Sequence, residues 1–434
     1  MVKIQNKLNA EQLNVIHSDE QRIFVNAVPG SGKTTLVTSY VVDLIKNKGV
    51  KPHKIRLCTF TNIAAQTMKN RLKKYIGKQA ELVKISTIHG FAQTYLMNNE
   101  VIISENMVSG NELEEFLDKN KLDKRKFDRW ECCSSFGRNQ SPKFLQVYKY
   151  LEQNNLWTYD YCINKMIELL RNNKAELMKF RNKIEYLIVD EYQDCNSNQI
   201  ELLRLLRNDS KNNKKFLFVG DTDQMIYEWR GAKATFSNEI NKWFPNTKIM
   251  NLVKNYRSAT SIVDKANLLI NANNNRLPKS IEAMSDDKGR VSYTTYADEK
   301  QQAQAIAKAI KNSDTNNIAI LCAQHCECQF IENELINQRI DCFRVSEDKE
   351  ATLPTDKPII MTVFAAKGTE FDTIFVPYAN NVNYTEKRRN LFYVAITRAK
   401  KSLFISHYKS QKSHKNGRFC KKWDRTNLLD DMKL

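Results

Sequence analysis

Short apolar runs alternate along the chain with stretches whose apolar positions recur at helical spacing. The run Ile23-Phe24-Val25-Asn26-Ala27 is followed by Leu36, Val37, Tyr40, Val41, Leu44 and Ile45, the spacing of one helix face. Further strands are expected at 55–60, 186–189, 216–219 and 249–252. A second set, at 318–321, 359–363, 374–377 and 403–406, begins after Ser258. Strands that alternate with helices are joined by crossovers, so the fold is expected to be α/β with parallel sheets in two lobes. Between 95 and 181 the pattern changes to helical runs at 113–117, 144–151 and 161–170. The expected organisation is a first lobe in two parts (1–94 and 182–256), a helical insertion (95–181) and a second lobe (257–434). Cys342-Phe343-Arg344-Val345 is strand-like, and the polar, Pro-containing stretch 346–357 after it reads as a linker, too short for a core of its own.

Composition adds a partner class. The 434 residues exceed one ordinary domain, and 41% hydrophobic content suffices for buried cores. A net charge of +19, from 68 basic against 49 acidic residues, favours a polyanion, with binding that weakens steeply as salt rises. Lys121-Leu122-Asp123-Lys124-Arg125-Lys126 in the insertion is a basic patch that either touches nucleic acid or is a solvated face. The tail after Ser406 (Lys409, Lys412, His414, Lys415, Arg418, Lys421, Lys422) is read the same two ways: it helps hold nucleic acid or is a loose end. Met1-Val2-Lys3-Ile4-Gln5-Asn6-Lys7 has no signal-peptide core, and no apolar run is long enough to span a bilayer. No membrane partner is expected, and the location is expected to be cytoplasmic, or nuclear in a eukaryotic host. The ten cysteines are then reduced thiols. Cys322, His325, Cys326 and Cys328 are soft ligands in one short segment, but no CxxC pair occurs and the segment continues into a helix pattern, so zinc is the weaker reading.

Two segments carry chemistry. Ala27-Val28-Pro29-Gly30-Ser31-Gly32-Lys33-Thr34 sits between a strand and a helix, the context of a phosphate-binding loop. Gly30 and Gly32 let backbone N–H groups approach phosphates, and the helix N-terminus adds a favourable dipole. Lys33 would reach the β and γ phosphates and the Thr34 hydroxyl would bind Mg²⁺, so ATP and Mg²⁺ are the expected cofactors; Val28, Pro29, Ser31 and Thr35 complete the expected nucleotide contacts. The second segment, residues 188–232, holds the adjacent carboxylates Asp190 and Glu191 after an apolar run, one to position Mg²⁺ and one to activate water. It ends on Gln224, Tyr227, Trp229 and Arg230, which join a phosphate-sensing amide to a surface that stacks bases.

With these residues placed, the chain resembles superfamily 1A DNA helicases of the UvrD/Rep/PcrA type, from Leu8 to about Ser406 and in the family's motif order. The resemblance implies two RecA-like P-loop lobes with ATP between them. It implies that Gln12, in Leu8-Asn9-Ala10-Glu11-Gln12, grips adenine. Thr59-Phe60-Thr61-Asn62-Ile63-Ala64-Ala65 and Ser86-Thr87-Ile88-His89-Gly90-Phe91 are similar to motifs that touch the DNA strand, which implicates Phe60, Thr61, Asn62 and His89. By residue type alone a lone histidine is more often an interior residue, and the motif position makes the DNA contact an equal reading. Leu252-Val253-Lys254-Asn255-Tyr256-Arg257-Ser258 resembles the motif whose tyrosine packs on adenine and whose arginine reaches the γ-phosphate: here Tyr256 and Arg257. Met361-Thr362-Val363-Phe364-Ala365-Ala366-Lys367-Gly368-Thr369-Glu370-Phe371 resembles the motif with DNA contacts and a ribose-binding glutamate, here Glu370. Tyr393-Val394-Ala395-Ile396-Thr397-Arg398-Ala399-Lys400 is similar to the motif that supplies a second arginine finger, here Arg398. Arg388 and Arg389 are expected to face solvent or DNA instead.

Two positions depart from the family. Phe364 stands where a histidine usually contacts the DNA backbone; a phenyl ring stacks on a base but cannot donate to phosphate. Thr369 stands where leucine is usual. The insertion takes the place of domain 1B, and the short stretch 346–357 leaves no domain 2B between the later motifs.

The function expected is an ATP-dependent 3′→5′ DNA helicase or translocase on single-stranded DNA and duplex junctions. Polarity comes from the resemblance alone. Catalysis falls to Lys33, Glu191, Gln224, Arg257 and Arg398, with Thr34 and Asp190 at the metal. One rival is a regulatory DNA-sensing ATPase that controls a partner nuclease, since compact chains of this kind also resemble the helicase subunit of the Gabija anti-phage system. The chain carries no nuclease constellation, so cleavage would fall to another protein. A second rival is an RNA motor.

Overall fold

A computed structural model describes residues 8–102, 106–108, 110–132, 141–207, 214–233, 237–313, 315, 317–345, 353–379, 385–409 and 430–434. The chain divides into two compact units, residues 1–27 with 33–252, and residues 28–32 with 253–434.

The first unit is built on a six-stranded sheet in the order β3-β2-β4-β5-β1-β6. Its strands are β1 (Arg22–Ala27), β2 (Ile55–Thr59), β3 (Lys84–Thr87), β4 (Tyr186–Val189), β5 (Lys215–Gly220) and β6 (Lys248–Leu252). All pairings are parallel, with Val25 opposite Val219 on one side and Met250 on the other. Helices α1 (Ala10–His17), α2 (Lys33–Lys46), α3 (Asn62–Ile76) and α4 (Ile88–Asn98) belong to this lobe. β1 and β4 are buried along their whole length, as strands covered on both faces must be, and this is why they read as largely apolar runs, broken in β1 by Asn26. The edge strand β3 has only Ile85 as an apolar residue, so periodicity alone missed it.

Residues 110–183 form α5 (Gly110–Lys119), α6 (Lys124–Glu131), α7 (Pro142–Gln153), α8 (Tyr159–Asn172) and α9 (Lys174–Lys183). They carry a small core of Leu113, Leu117, Phe127, Val147 and Leu151, with Trp130 and Phe144 packed against it. The basic patch is partly consumed here: Asp123 caps α6 and Lys124 pairs with Asp128 at 3.1 Å. Helix α10 (Ser197–Leu206) follows the carboxylate segment.

The second unit has a six-stranded parallel sheet in the order β11-β12-β10-β13-β14-β9 and a two-stranded pair of β7 (Lys254–Asn255) with β8 (Glu282–Ala283). The six are β9 (Arg290–Tyr296), β10 (Ile318–Cys322), β11 (Phe343–Arg344), β12 (Ile359–Thr362), β13 (Phe371–Val376) and β14 (Ala399–Tyr408). β9 is a second edge strand that lacks an apolar run. β11 pairs directly with β12, Phe343 opposite Ile359. Residues 353–357 between them form no helix or strand; 346–352 lie outside the described residues, as do tail residues Lys412, His414, Lys415, Arg418, Lys421 and Lys422. Residues 253–256, expected at the end of the first lobe, group with the second unit, where Asn255 and Tyr256 hold the loop 28–32. Among the described residues, no helix is long and apolar enough to cross a membrane.

Candidate nucleotide and nucleic-acid sites

The loop 28–32 turns on two glycines of positive φ, Gly30 at 68° and Gly32 at 80°. A Cβ on Gly30 would lie 2.6 Å from Arg257 Cβ, so no other residue fits without displacing the arginine backbone. Asn255 Nδ2 donates to Pro29 O (2.8 Å), the Tyr256 N–H donates to Gly30 O (3.0 Å), and Ser31 Oγ donates to Val28 O (2.7 Å). Ala27 closes the buried β1, and Lys33, Thr34 and Thr35 form the first turn of α2. A close-approach glycine loop leading into the N-terminus of a 14-residue helix suits a triphosphate. Gln12 is buried in α1, where its Oε1 accepts the Asn9 N–H at 3.1 Å in a capping box.

At the end of β4, the Asp190 N–H donates to Cys58 O (2.8 Å) and its Oδ1 accepts the Glu191 N–H (3.1 Å). Glu191 is left-handed, φ 53° and ψ 42°, a conformation that costs a β-carbon residue on the order of 1 kcal/mol or more. Buried Tyr192 holds it there, packed between Phe24 (ring centroids 5.8 Å) and Phe218 (4.7 Å). The turn aims Glu191 toward Gln193, whose Nε2 donates to Glu191 Oε2 at 2.6 Å and to Asp194 Oδ2 at 3.3 Å. The Oε1 of Gln193 accepts the Asp221 N–H at 3.0 Å and leaves no room for a side chain at Gly220. Gln224 Nε2 in turn donates to Asp221 Oδ2 at 2.8 Å, and Thr222 reaches Asn26 at the end of β1. Gln193, Asp221 and Asn26 were not singled out in the sequence. They carry no motif chemistry of their own, and only the pairing of β4 and β1 with β5 makes them neighbours. The Asp190 carboxylate and the Thr34 hydroxyl offer hard oxygen donors of the kind Mg²⁺ prefers.

Among the expected base-stacking residues, Trp229 is 56% exposed, with the Arg230 guanidinium 4.6 Å over its ring. Tyr227 requires a correction. It is buried and stacked on half-buried Phe60 at 5.0 Å, so it backs Phe60 instead of offering a free face to a base. Burial, with Asp194 nearby, pushes its hydroxyl up to about 12. Thr61 caps α3 by accepting the Ala64 N–H, and Asn62 opens that helix. His89, on the first turn of α4, is neither free nor fully interior: Asp160 Oδ1 lies 3.6 Å from its Nε2, and the ring of Tyr159 meets it edge-on at 5.8 Å. Tyr159 is 56% exposed and was missed, because a tyrosine at the start of an amphipathic helix gives no signal in the sequence.

In the second unit Tyr256 is exposed beside Arg257, whose Nε lies 2.7 Å from Glu370 Oε2. Burial pushes the Glu370 carboxyl up, but Lys400 at 2.9 Å and Arg257 outweigh it and hold the group below its ordinary value. Arg398 is buried, with Nε donating to Val394 O (3.0 Å) and Nη1 to Thr369 O (3.3 Å). Phe364 is half-buried in the turn after β12. Arg388 and Arg389, expected to face solvent or DNA, are half-buried: Arg389 pairs with Asp431 at 2.9 Å, and Arg388 lies over Phe392, where burial lowers its pKa. Cys322 is buried at the end of β10, Cys328 is buried on the following helix, and Cys326 is exposed. Among the described residues no three His, Cys, Asp or Glu side chains converge as a metal set.

Residues 8–126 and 103–245 match the UvrD/REP helicase N-terminal domain, and residues 249–351 and 345–410 match the UvrD-like helicase C-terminal domain. A probable DNA helicase of Mycoplasma pneumoniae is 29% identical, over 92% of this chain and 83% of its own. The ATP-dependent DNA helicase PcrA of Staphylococcus aureus is 27% identical, over 80% of this chain and 52% of its own. The ATP-dependent DNA helicase Rep of Buchnera aphidicola is 30% identical, over 78% and 58%. The match therefore spans little more than half the length of the PcrA and Rep relatives.

Proposed function

The chain belongs to the UvrD/REP helicase family, and from that membership we propose that it hydrolyses ATP to move 3′→5′ along single-stranded DNA. Bound Mg²⁺·ATP supplies the phosphoryl group whose transfer to water drives movement. Gly30, Gly32 and Lys33 hold the phosphates, Gln12 and Tyr256 the base, and Glu370 the ribose. Thr34 and Asp190 would hold the Mg²⁺. Glu191 accepts the proton of the attacking water, while Lys33, Gln224, Arg257 and Arg398 offset the charge that develops on the departing phosphoryl group. The observation that carries this reading is the hydrogen-bonded path Glu191–Gln193–Asp221–Gln224, which leads within a few residues to exposed Trp229 and Arg230. A base stacked on Trp229 can thereby bear on the carboxylate that activates water. Phe60, Thr61, Asn62, His89, Arg230, Phe364 and the exposed Tyr159 line the strand with it.

The reading includes four segments, 1–94, 95–181, 182–256 and 257–434, with no separate helical domain between β11 and β12. The direct pairing of those strands supports it. The test is ATP hydrolysis with single-stranded DNA, duplex DNA, RNA or no nucleic acid, followed by dye-labelled strands that report the end reached. Single-stranded DNA should stimulate most and arrival should be at the 5′ end. Equal rates with and without nucleic acid, or a preference for RNA, would overturn the proposal.

A further inference from the structure

Thr158 caps α8 by accepting the Tyr161 N–H at 3.0 Å, which places Asp160 in the first turn, where the helix dipole favours a carboxylate. Four elements face that carboxylate. From α4, His89 Nε2 lies 3.6 Å from Oδ1; from the residue that caps α10, Asn196 Nδ2 donates to the same oxygen at 3.0 Å. Arg230 acts on it as a nearby positive charge, and its own charge helps push the Glu131 carboxyl of α6 up. Burial pushes the Asp160 carboxyl up, but His89, Asn196 and Arg230 outweigh it and hold the group ionised. Asn196 is itself committed: it caps α10 by accepting the Gln199 N–H at 2.9 Å, and it bridges to Ala232. The helical insertion thus places one negative charge among His89, Arg230 and the start of the helix that follows Asp194.

We propose that Asp160 is a positioning residue of the strand-binding surface, through which the helical insertion sets His89 for contact with nucleic acid. The inference rests on the DNA-dependent ATPase reading above. Asp160 does not touch the strand; it holds a group that does. One of its oxygens accepts from Asn196 in any case, so replacing the charge with an amide spares the cap of α10 and removes the attraction to His89.

The experiment compares Asp160→Asn, Asp160→Glu and His89→Ala with wild type, measuring the single-stranded DNA concentration that half-saturates ATP hydrolysis and the rate at saturation. Asp160→Asn should raise the half-saturating concentration about tenfold, the loss of one charge-assisted contact, with the saturated rate within about twofold. Asp160→Glu should recover most of the loss, and Asp160→Asn should add nothing in the His89→Ala background. Half-saturation at the wild-type concentration, or simple additivity with His89→Ala, overturns the proposal. Asn198→Ala is the control for a purely structural role, because it breaks another tie between insertion and α10 (Asn198 Nδ2 to Glu131 O, 2.6 Å) without touching His89. An equal shift in that variant also overturns the proposal. Wild-type protein that DNA does not stimulate at all would sink the functional reading instead.

Discussion

Arg257 Nε lies 2.7 Å from Glu370 Oε2, and Lys400 holds the other oxygen of the same carboxylate at 2.9 Å. Two residues assigned to different parts of the nucleotide, phosphate and ribose, are therefore partners. Arg257→Ala should lower kcat by about 10³-fold or more with little change in KM for ATP, as expected of an arginine finger. Glu370→Gln should chiefly raise KM, with kcat down less than about tenfold. Steady-state kinetics separate the two; a change in KM alone for both would make the pair structural.

Lys33→Ala and Glu191→Gln should both abolish hydrolysis and differ in binding. Loss of Lys33 removes a phosphate contact, so ATP affinity falls. Glu191→Gln relieves negative charge and keeps shape, so ATP binds and is trapped. Fluorescent-nucleotide titration checks this, and equal large losses of affinity would contradict the assigned roles.

Gln193 offers a test of the path between the two motifs. Gln193→Ala leaves the buried Asp221 N–H without the Gln193 acceptor and frees Glu191 to move, at a stability cost of about 1–3 kcal/mol. Stimulation by DNA should fall more than ATP binding. Full stimulation at unchanged stability, by denaturant titration, would show that the path transmits nothing.

Trp229→Ala should weaken single-strand binding by about 1–3 kcal/mol, the worth of a base–aromatic stack, and leave thermal stability nearly unchanged, since the indole is 56% exposed. Tyr227→Ala removes a buried ring from beneath Phe60 and should lower both. A Trp229→Ala protein that binds DNA normally but melts early would place the indole in the fold, not on the strand.

Burial, with Asp160 and Asp128 as like charges, pushes the Glu131 carboxyl of α6 up from 4.5 to about 8, against the opposing hydrogen bonds from Thr158 and Tyr148. The folded chain then binds more protons than the unfolded chain between those values, so stability should decline as pH rises through that window. Glu131→Gln should flatten the decline. Melting temperatures from pH 5 to 8 check it; a wild-type curve that rises, or an unchanged slope in the variant, would place the charge elsewhere.

Of the strands that the apolar runs marked, β1, β4, β5 and β10 are buried on both faces and had to be nearly continuous in Val, Ile, Leu and Phe wherever the helices fell, while the edge strand β6 was marked by Ile249, Met250 and Leu252 despite its exposure. The same holds for the phosphate loop, where Gly30 and Gly32 need a conformation that no other residue adopts cheaply and Lys33 follows at a spacing set by the chain itself. Such features are local, and sequence carries them. The edge strands β3 and β9 were not legible, because one exposed face releases the apolar requirement. Nor were the relations that cross the chain. Glu191 is left-handed because Tyr192 is anchored among rings from β1 and β5; Gln193 reaches Asp221 because β4 lies beside β5. Tyr227 turns inward because Phe60 covers it, Arg389 turns inward to reach Asp431, and Asp160 reaches His89 and Asn196 from a segment that shows no motif. Which polar side chains share a charge, and which aromatic faces stay open, depends on distances between residues far apart in sequence, and only packing sets those.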